Sequence, residues 1–194
     1  YNHNYREVFA GMQPLLSEEQ IHSRVAEIAQ NISQTYGDQP IIALVVLRGA
    51  FMFASDLIKH LSQMQVQVEF LRLQSYSGTE STGSVSVELG TQFDVKDKAV
   101  LIIEDIVDTG LTMSFLTQRL FNAGAGDVKI ATLINKPKSH KEPVKVDFTG
   151  FELDGGFVVG YGLDYNGYFR HLPCVYEVTD LAHIKKCIYS TSLS

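Results

Sequence analysis

This sequence has little cysteine, little positive charge and no long apolar run. Its two cysteines, Cys174 and Cys187, are too few for a disulfide scaffold, and neither they nor the six histidines have the paired spacing of a zinc site. The longest uninterrupted apolar run, Ile41 to Leu47, is far shorter than the roughly 20 residues of a membrane-spanning helix. The opening residues also lack the charged-then-apolar pattern of a signal peptide. We therefore expect reduced thiols and a cytoplasmic protein.

Basic residues are outnumbered by acidic ones. The 16 lysines and arginines against 22 aspartates and glutamates give a net charge of -6, which argues against a nucleic-acid or anionic membrane surface. An anionic ligand would need a few focused local donors. A length of 194 residues with 45% hydrophobic content suits a single α/β domain with room for a small appended subdomain.

Strand and helix patterns alternate along the first two thirds of the chain. Ser17 to Gln20 has capping-box spacing and opens an amphipathic helix that ends near Gly37, with Ile21, Val25, Ile28 and Ile32 on its apolar face. Ile41 to Leu47 is typical of a buried strand. Residues 51–61 are typical of a helix, with Phe51, Ala54, Leu57, Ile58 and Leu61 on its apolar face. Val128 to Ile134 is a further buried strand. Such alternation predicts a mostly parallel sheet flanked by helices.

A long polar loop separates two short alternating strands. Val66, Val68 and Phe70 alternate with polar residues, and Val85, Val87 and Leu89 do so again. Residues 75–84 between them contain four serines, two threonines, two glycines and no aliphatic residue. We expect a mobile flap here. Residues 144–159 and 160–176 are strand-like and loop-like, and we expect them to contribute a cap over the ligand edge of the sheet.

The segment from Val100 to Thr112 carries the chemistry. Its apolar run, which is typical of a buried strand, ends in Glu104 and Asp105 and then in Asp108-Thr109-Gly110-Leu111-Thr112. The residues from Thr112 to Ala123 have helical spacing, so the turn should present backbone N–H groups and hydroxyls to a phosphate. Two buried carboxylates need a compensating partner, and a ribose diol or a divalent cation would supply one. An isolated Asp-Thr-Gly turn can also simply cap a helix.

The same 13 residues closely resemble the phosphoribosyl pyrophosphate motif of type I phosphoribosyltransferases. From about Ile41 to Tyr176 the chain resembles the hypoxanthine or hypoxanthine-guanine branch of that family. The resemblance implies one phosphoribosyltransferase domain over residues 1–194, with a core at about 16–150 and a hood formed by the N-terminal segment and about 151–194. It also implies a homodimer or homotetramer, and transfer of phosphoribose from phosphoribosyl pyrophosphate to hypoxanthine or guanine with Mg²⁺, giving IMP or GMP and pyrophosphate.

Family roles carry over to matching residues. Leu47-Arg48-Gly49, with Arg48 where many relatives have lysine, matches a pyrophosphate loop associated with a non-proline cis peptide. Ser75 and Tyr76 match the catalytic flap. The resemblance implies that Glu104 to Asp105 and Asp108 to Thr112 bind the nucleotide, and that Arg170 also binds pyrophosphate. It implies that the purine is bound by Ile106, Lys136, Phe157, Val158 and Asp164, and the metal by Glu104, Asp105 and Asp164. Asp108 would accept or stabilise the proton at purine N7.

Each piece also has a plainer reading, and two other functions stay open. Taken alone, Arg48-Gly49 would be interpreted as an ordinary turn and Lys136 as a solvated loop charge. The stretch around Asp164 and Arg170 would be interpreted as an oligomer contact. A transferase for another base, such as xanthine, would share most of these residues, although Lys136 favours a 6-oxopurine because it can only donate hydrogen bonds. A regulator that senses phosphoribosyl pyrophosphate is the third possibility, and the acidic balance argues against its binding RNA.

Overall fold

A five-stranded parallel sheet lies at the centre of the larger of two units. The computed structural model describes residues 5–73 and 93–189. One unit is His22–Gly155, and the other joins the residues up to Ile21 with those from Gly156 onward. In chain order the elements are β1 (Met12–Leu16), α1 (Glu18–Tyr36), β2 (Ile41–Leu47), α2 (Phe51–His60), β3 (Val66–Arg72), β4 (Ala99–Val107), α3 (Leu111–Asn122), β5 (Asp127–Asn135), β6 (Phe148–Glu152), β7 (Val158–Val159), β8 (Val175–Val178) and α4 (Leu181–Tyr189).

The central sheet has the order β3-β2-β4-β5-β6, and every neighbouring pair of strands is parallel. The α/β fold class with a parallel sheet is therefore confirmed. The middle strands are buried on both faces, as the continuous apolar runs indicated. Side chains of β2, β4 and α3 share one core, which contains Ile42, Leu44, Val46, Val100, Ile102, Met113, Leu116 and Leu120.

Helix α1 begins and ends as its sequence predicts. The Ser17 hydroxyl accepts from the Gln20 N–H at 3.1 Å, and the Gln20 side-chain oxygen accepts from the Ser17 N–H at 2.9 Å, which confirms the capping box. Its four predicted apolar residues are all buried. The helix ends at Tyr36, before Gly37 with a φ of 56°.

The predicted apolar face of α2 was wrong at Phe51, whose side chain is 44% exposed. Phe53 is fully buried in its place. Phe53, Leu57 and Leu61 follow one another at steps of four along the helix, so they form the stripe that packs inward, whereas Phe51 begins the helix beside that stripe. A similar difference occurs in the edge strand β3, where Phe70 is 56% exposed and Leu71 is buried.

The smaller unit has its own antiparallel sheet, in the order β1-β8-β7. Helix α4 and the 3-10 helix at Tyr5–Gly11 belong to the same unit. Its core contains Val8, Met12, Val159, Phe169, Leu172 and Ile184. In the larger unit, β6 adds a fifth strand after β5, and the chain passes to the smaller unit after Gly155. Among the described residues, no helix combines the length and the apolar character needed to cross a membrane.

Candidate functional site

Three neighbouring parallel strands end at the same edge of the central sheet. Strand β2 leads into Arg48-Gly49, β4 into Asp108 and the loop that follows it, and β5 into Lys136. Because β2, β4 and β5 are adjacent and parallel, their carboxyl ends gather these residues in one place. The carboxyl edge of a parallel sheet is where ligands of α/β proteins bind.

Glu104 and Asp105 lie side by side on the last part of β4. Glu104 is only 8% exposed, and its Oε1 accepts from the Asp105 N–H at 3.0 Å. The Asp105 Oδ1 accepts in turn from the Ile106 N–H at 3.0 Å. Each carboxylate is thus oriented by the backbone of the next residue. Burial raises the pKa of the Glu104 carboxyl well above its ordinary value, and the negative charge of Asp105 raises it further.

Glu104→Gln should stabilise the protein when no metal or ligand is present. The amide avoids the cost of burying a charge, and its oxygen can still accept from the Asp105 N–H. Because the folded-state pKa is raised, this cost is absent below the ordinary pKa of about 4.3 and grows as the pH rises through the folded-state value. We expect a gain of about 1 to 2 kcal/mol at neutral pH, or about 2 to 8 °C in Tm, by calorimetry in a chelating buffer.

The exposed Glu142 offers a matched control for that substitution. Glu142→Gln makes the same chemical change outside the buried pair, so its Tm should stay close to that of the unmodified protein. The Tm gain of Glu104→Gln should be larger at about pH 8 than at about pH 5. A gain that is equal at both pH values would contradict the assigned cause.

The turn after β4 has the form of an anion cradle. Gly110 caps helix α3 with a φ of 78°, a left-handed conformation that glycine adopts without strain, and the Ser114 N–H donates to its carbonyl at 2.9 Å. The helix begins at Leu111, one residue before the predicted start. Thr109 and Thr112 are half-buried and Leu111 is 45% exposed. The free N–H groups at the start of a helix favour a bound anion here.

Lys136 brings a positive charge to this turn. It is only 7% exposed, and its Nζ lies 3.3 Å from Oδ2 of the half-exposed Asp108. Its backbone N–H donates to the Val107 carbonyl at 2.9 Å, which ties the end of β5 to the end of β4. Lys136 is therefore a buried ion-pair partner and does not behave as a solvated loop lysine.

The Arg48-Gly49 loop touches the carboxylate pair through Gly49. The peptide bond between Leu47 and Arg48 is cis, as the resemblance implied. A methyl group placed on Gly49 would overlap the Asp105 carboxylate and stand 2.5 Å from its Cγ. Only a residue without a side chain lets the loop after β2 lie so close to Asp105. The Arg48 side chain is exposed.

Four further predicted residues lie in the smaller unit, whereas Ile106 lies in β4 of the larger one. Asp164 accepts from the Arg170 guanidinium at 2.9 Å and from the Gly167 N–H at 2.6 Å, while Arg170 also donates to the Gly162 carbonyl at 2.6 Å. Phe157 is 43% exposed and meets Tyr165 edge-on, with 6.1 Å between ring centroids. Val158 is buried in β7. Asp164 and Arg170 thus pair with each other, which the sequence did not indicate.

Two catalytic predictions, Ser75 and Tyr76, lie outside the described residues, as do the predicted flap loop at 75–84 and the returning strand at 85–89. The structure adds two residues that the sequence did not single out. His140 Nε2 lies 2.9 Å from Oδ1 of the buried Asn135, and the His140 ring stands beside Gly110. The only signal for them was their position on either side of Lys136.

Comparisons with known proteins find relatives over most of the chain. Residues 14–166 match the family model described as the phosphoribosyl transferase domain. The chain is 41% identical over 162 residues to the hypoxanthine-guanine phosphoribosyltransferase of Bacillus subtilis, covering 83% of this chain and 89% of that protein. It is 39% identical over 168 residues to the enzyme of that name from Aquifex aeolicus, covering 86% and 94% respectively.

A solved structure gives the same result in three dimensions. The crystal structure of a hypoxanthine-guanine phosphoribosyltransferase from Bacillus anthracis superposes with a TM-score of 0.80 at 35% sequence identity, covering 86% of this chain and 98% of that one. The match thus extends over nearly the whole length of that relative, and the fold and the sequence agree. The chain belongs to the phosphoribosyltransferase family, within the group of hypoxanthine-guanine phosphoribosyltransferases.

Proposed function

We propose that this protein transfers the 5-phosphoribosyl group from phosphoribosyl pyrophosphate to N9 of a 6-oxopurine. The acceptor is hypoxanthine and also guanine, and the products are IMP or GMP with pyrophosphate. Relatives that share about 40% of their residues with this chain carry the name of this activity. The observation that carries the proposal is the single sheet edge at which an anion cradle, a carboxylate pair and the Lys136–Asp108 ion pair come together.

Each part of this edge suits one part of the donor. The N–H groups and hydroxyls from Thr109 to Thr112 suit the 5′-phosphate, because it arrives as a dianion at a helix start. Glu104 and Asp105 offer oxygen acceptors for the two ribose hydroxyls. Arg48 and the backbone at Gly49, which lies against Asp105, would hold the pyrophosphate, and Arg170 is a further candidate for that role.

Asp108 is the proposed proton acceptor. The purine N9 lone pair forms a bond to C1 of the ribose as the bond from C1 to the pyrophosphate oxygen breaks. The proton on N7 of the base then passes to, or is stabilised by, the Asp108 carboxylate. The Lys136 ammonium, 3.3 Å from Asp108 Oδ2, keeps that carboxylate in place.

Lys136 is also the proposed reader of the base. A lysine ammonium has three donors and no acceptor, so it can satisfy Asp108 and the exocyclic oxygen of a 6-oxopurine together. A 6-amino group would meet it donor to donor, which disfavours adenine. By the family resemblance, Ile106, Phe157, Val158 and Asp164 would complete the purine subsite, and Ser75 with Tyr76 would cover the reacting centre.

The carboxylate pair fits a magnesium ion brought by the donor substrate. Glu104 and Asp105 are hard oxygen ligands, and the buried charge of Glu104 would be compensated by a cation. Two protein carboxylates would leave the remaining coordination positions of the ion to substrate and water. Asp164 is a proposed additional ligand. When bound, Mg²⁺ would neutralise charge on the departing pyrophosphate.

Pyrophosphate release tests the proposal directly. The protein is mixed with phosphoribosyl pyrophosphate and Mg²⁺, and pyrophosphate is measured with hypoxanthine, guanine, xanthine or adenine as acceptor. We expect turnover with hypoxanthine and guanine, and at least about 100-fold less with adenine because of the mismatched donors at Lys136. If xanthine were the only base that turned over, the acceptor would be xanthine and the proposed acceptors would be wrong. Tight binding of phosphoribosyl pyrophosphate without turnover on any base would instead support a sensing protein.

A further inference from the structure

We propose that His140 is a positioning residue that holds the purine-reading Lys136 and the phosphate loop Thr109–Thr112 in register. This role rests on the proposed function of that site. His140 lies in the larger unit, four residues after Lys136, and it is half-buried. It lies near the end of β5 and near the turn after β4, and it is not one of the residues assigned to substrate.

On one side, His140 closes the turn that carries Lys136. Pro137–Ser139 form a short 3-10 turn in which the Ser139 N–H donates to the Lys136 carbonyl at 3.0 Å. The side chain of His140 then returns to Asn135, with Nε2 2.9 Å from Oδ1. Lys136 is therefore enclosed between two residues that are bonded to each other.

The Asn135 end of this bond is fixed. Asn135 is the last residue of β5, is only 6% exposed, and accepts from the Leu153 N–H at 2.9 Å through its carbonyl. A fixed partner means that the bond restrains His140 and the turn, and not the strand. Either neutral tautomer of the imidazole could make it, as donor to the amide oxygen or, with the amide turned, as acceptor from its nitrogen.

On the other side, His140 and its neighbours lie against the phosphate loop. A methyl group placed on Gly110 would stand 3.8 Å from the His140 Cγ and 3.3 Å from the Glu142 carbonyl oxygen. The Lys141 N–H donates to the Thr109 carbonyl at 2.8 Å. The segment that begins at His140 thus supports the two residues that open the anion cradle.

The two sets of contacts make a prediction that differs from simple structural support. If His140 fixes Lys136 and the cradle together, its loss should weaken purine and phosphate binding in the same variant while the reacting groups stay intact. His140→Ala should raise KM for hypoxanthine and for phosphoribosyl pyrophosphate by about three- to tenfold, the range expected for one lost hydrogen bond that orders a site. The value of kcat should change by less than about twofold.

A binding measurement isolates the phosphate side. Calorimetric titration with IMP and with inosine compares ligands that differ only in the 5′-phosphate. His140→Ala should lower the ratio of IMP affinity to inosine affinity by about threefold or more, because the cradle is what distinguishes them. His140→Gln, whose amide can still bond Asn135, should recover most of both effects.

Lys138→Ala is the matched control. Lys138 lies in the same turn, but it is exposed and pairs with Asp154 at the surface. It should leave both KM values and the IMP-to-inosine ratio unchanged. Unchanged KM values in His140→Ala, a lowered Tm as its only effect, equal effects in Lys138→Ala or no recovery in His140→Gln would overturn the inference. An unmodified protein without turnover would overturn the proposed function instead, and the IMP and inosine titrations would still decide the role of His140.

Discussion

Asp108→Asn should lower kcat by about 100- to 10,000-fold, the range that a positioned general base or charge stabiliser contributes. Asparagine has nearly the same shape, but it neither accepts the N7 proton nor carries the charge that would stabilise it. Its side-chain oxygen can still approach the Lys136 Nζ, which lies 3.3 Å from Asp108 Oδ2. The affinity for IMP should therefore stay within a few fold, which steady-state kinetics and calorimetric titration can measure side by side.

Asp154→Asn controls for the loss of one carboxylate beside a lysine. Asp154 accepts from Lys138 at 2.7 Å, and both side chains are largely exposed. An exposed pair of this kind contributes about 1 kcal/mol or less, so kcat and Tm should stay near those of the unmodified protein. If Asp108→Asn turns over at a near-normal rate, Asp108 is not the base. If the Tm of Asp108→Asn falls sharply, Asp108→Glu can distinguish a folding defect from a loss of chemistry, because glutamate keeps a negative charge next to Lys136.

The core of the site could be predicted from one continuous stretch of sequence. Strand β4 and its acidic turn are recognisable because the apolar run, the carboxylates and the glycine follow one another at fixed spacing. The alternating patterns likewise predicted a mostly parallel sheet, and every neighbouring pair of strands in the central sheet is parallel. Residues near one another along the chain leave a pattern in the sequence. In β4 and its acidic turn, the local sequence pattern was therefore enough to predict the geometry of one strand and one turn.

The rest depended on contacts that no spacing along the chain identified. The Asp164–Arg170 pair consists of two residues that the resemblance assigned to separate ligands. The burial of Phe53 in place of Phe51 depended on which part of α2 meets the sheet. The predicted stripe from Phe51 and the observed stripe from Phe53 share Leu57 and Leu61, so spacing along the helix did not decide between them.

Gly49 is the clearest case of a requirement set by a distant residue. In sequence it is an ordinary turn glycine, and its φ is not in the left-handed region. Glycine is required at this position because of Asp105: a methyl group on Gly49 would stand 2.5 Å from the Asp105 Cγ and overlap the carboxylate oxygen. A contact of that length forces the carboxylate or the loop to move.

Gly49→Ala should therefore lower kcat/KM for phosphoribosyl pyrophosphate by about 100-fold. Asp105 cannot keep its 3.0 Å bond to the Ile106 N–H and also make room for the methyl group, so the carboxylate is displaced from the ribose side of the site. A displacement of about 1 Å in a preorganised site can cost two orders of magnitude in rate. Gly155→Ala is the control, because a methyl group there meets nothing within 4 Å.

A double-mutant cycle decides whether the effect passes through Asp105. Asp105→Ala removes the carboxylate and opens the space that the new methyl group needs. If the clash is the cause, Gly49→Ala should add little to Asp105→Ala, so the double variant should have about the same kcat/KM as Asp105→Ala alone. If the two losses multiply instead, Gly49 acts through the pyrophosphate loop itself, and its role as the space reserved for Asp105 is wrong.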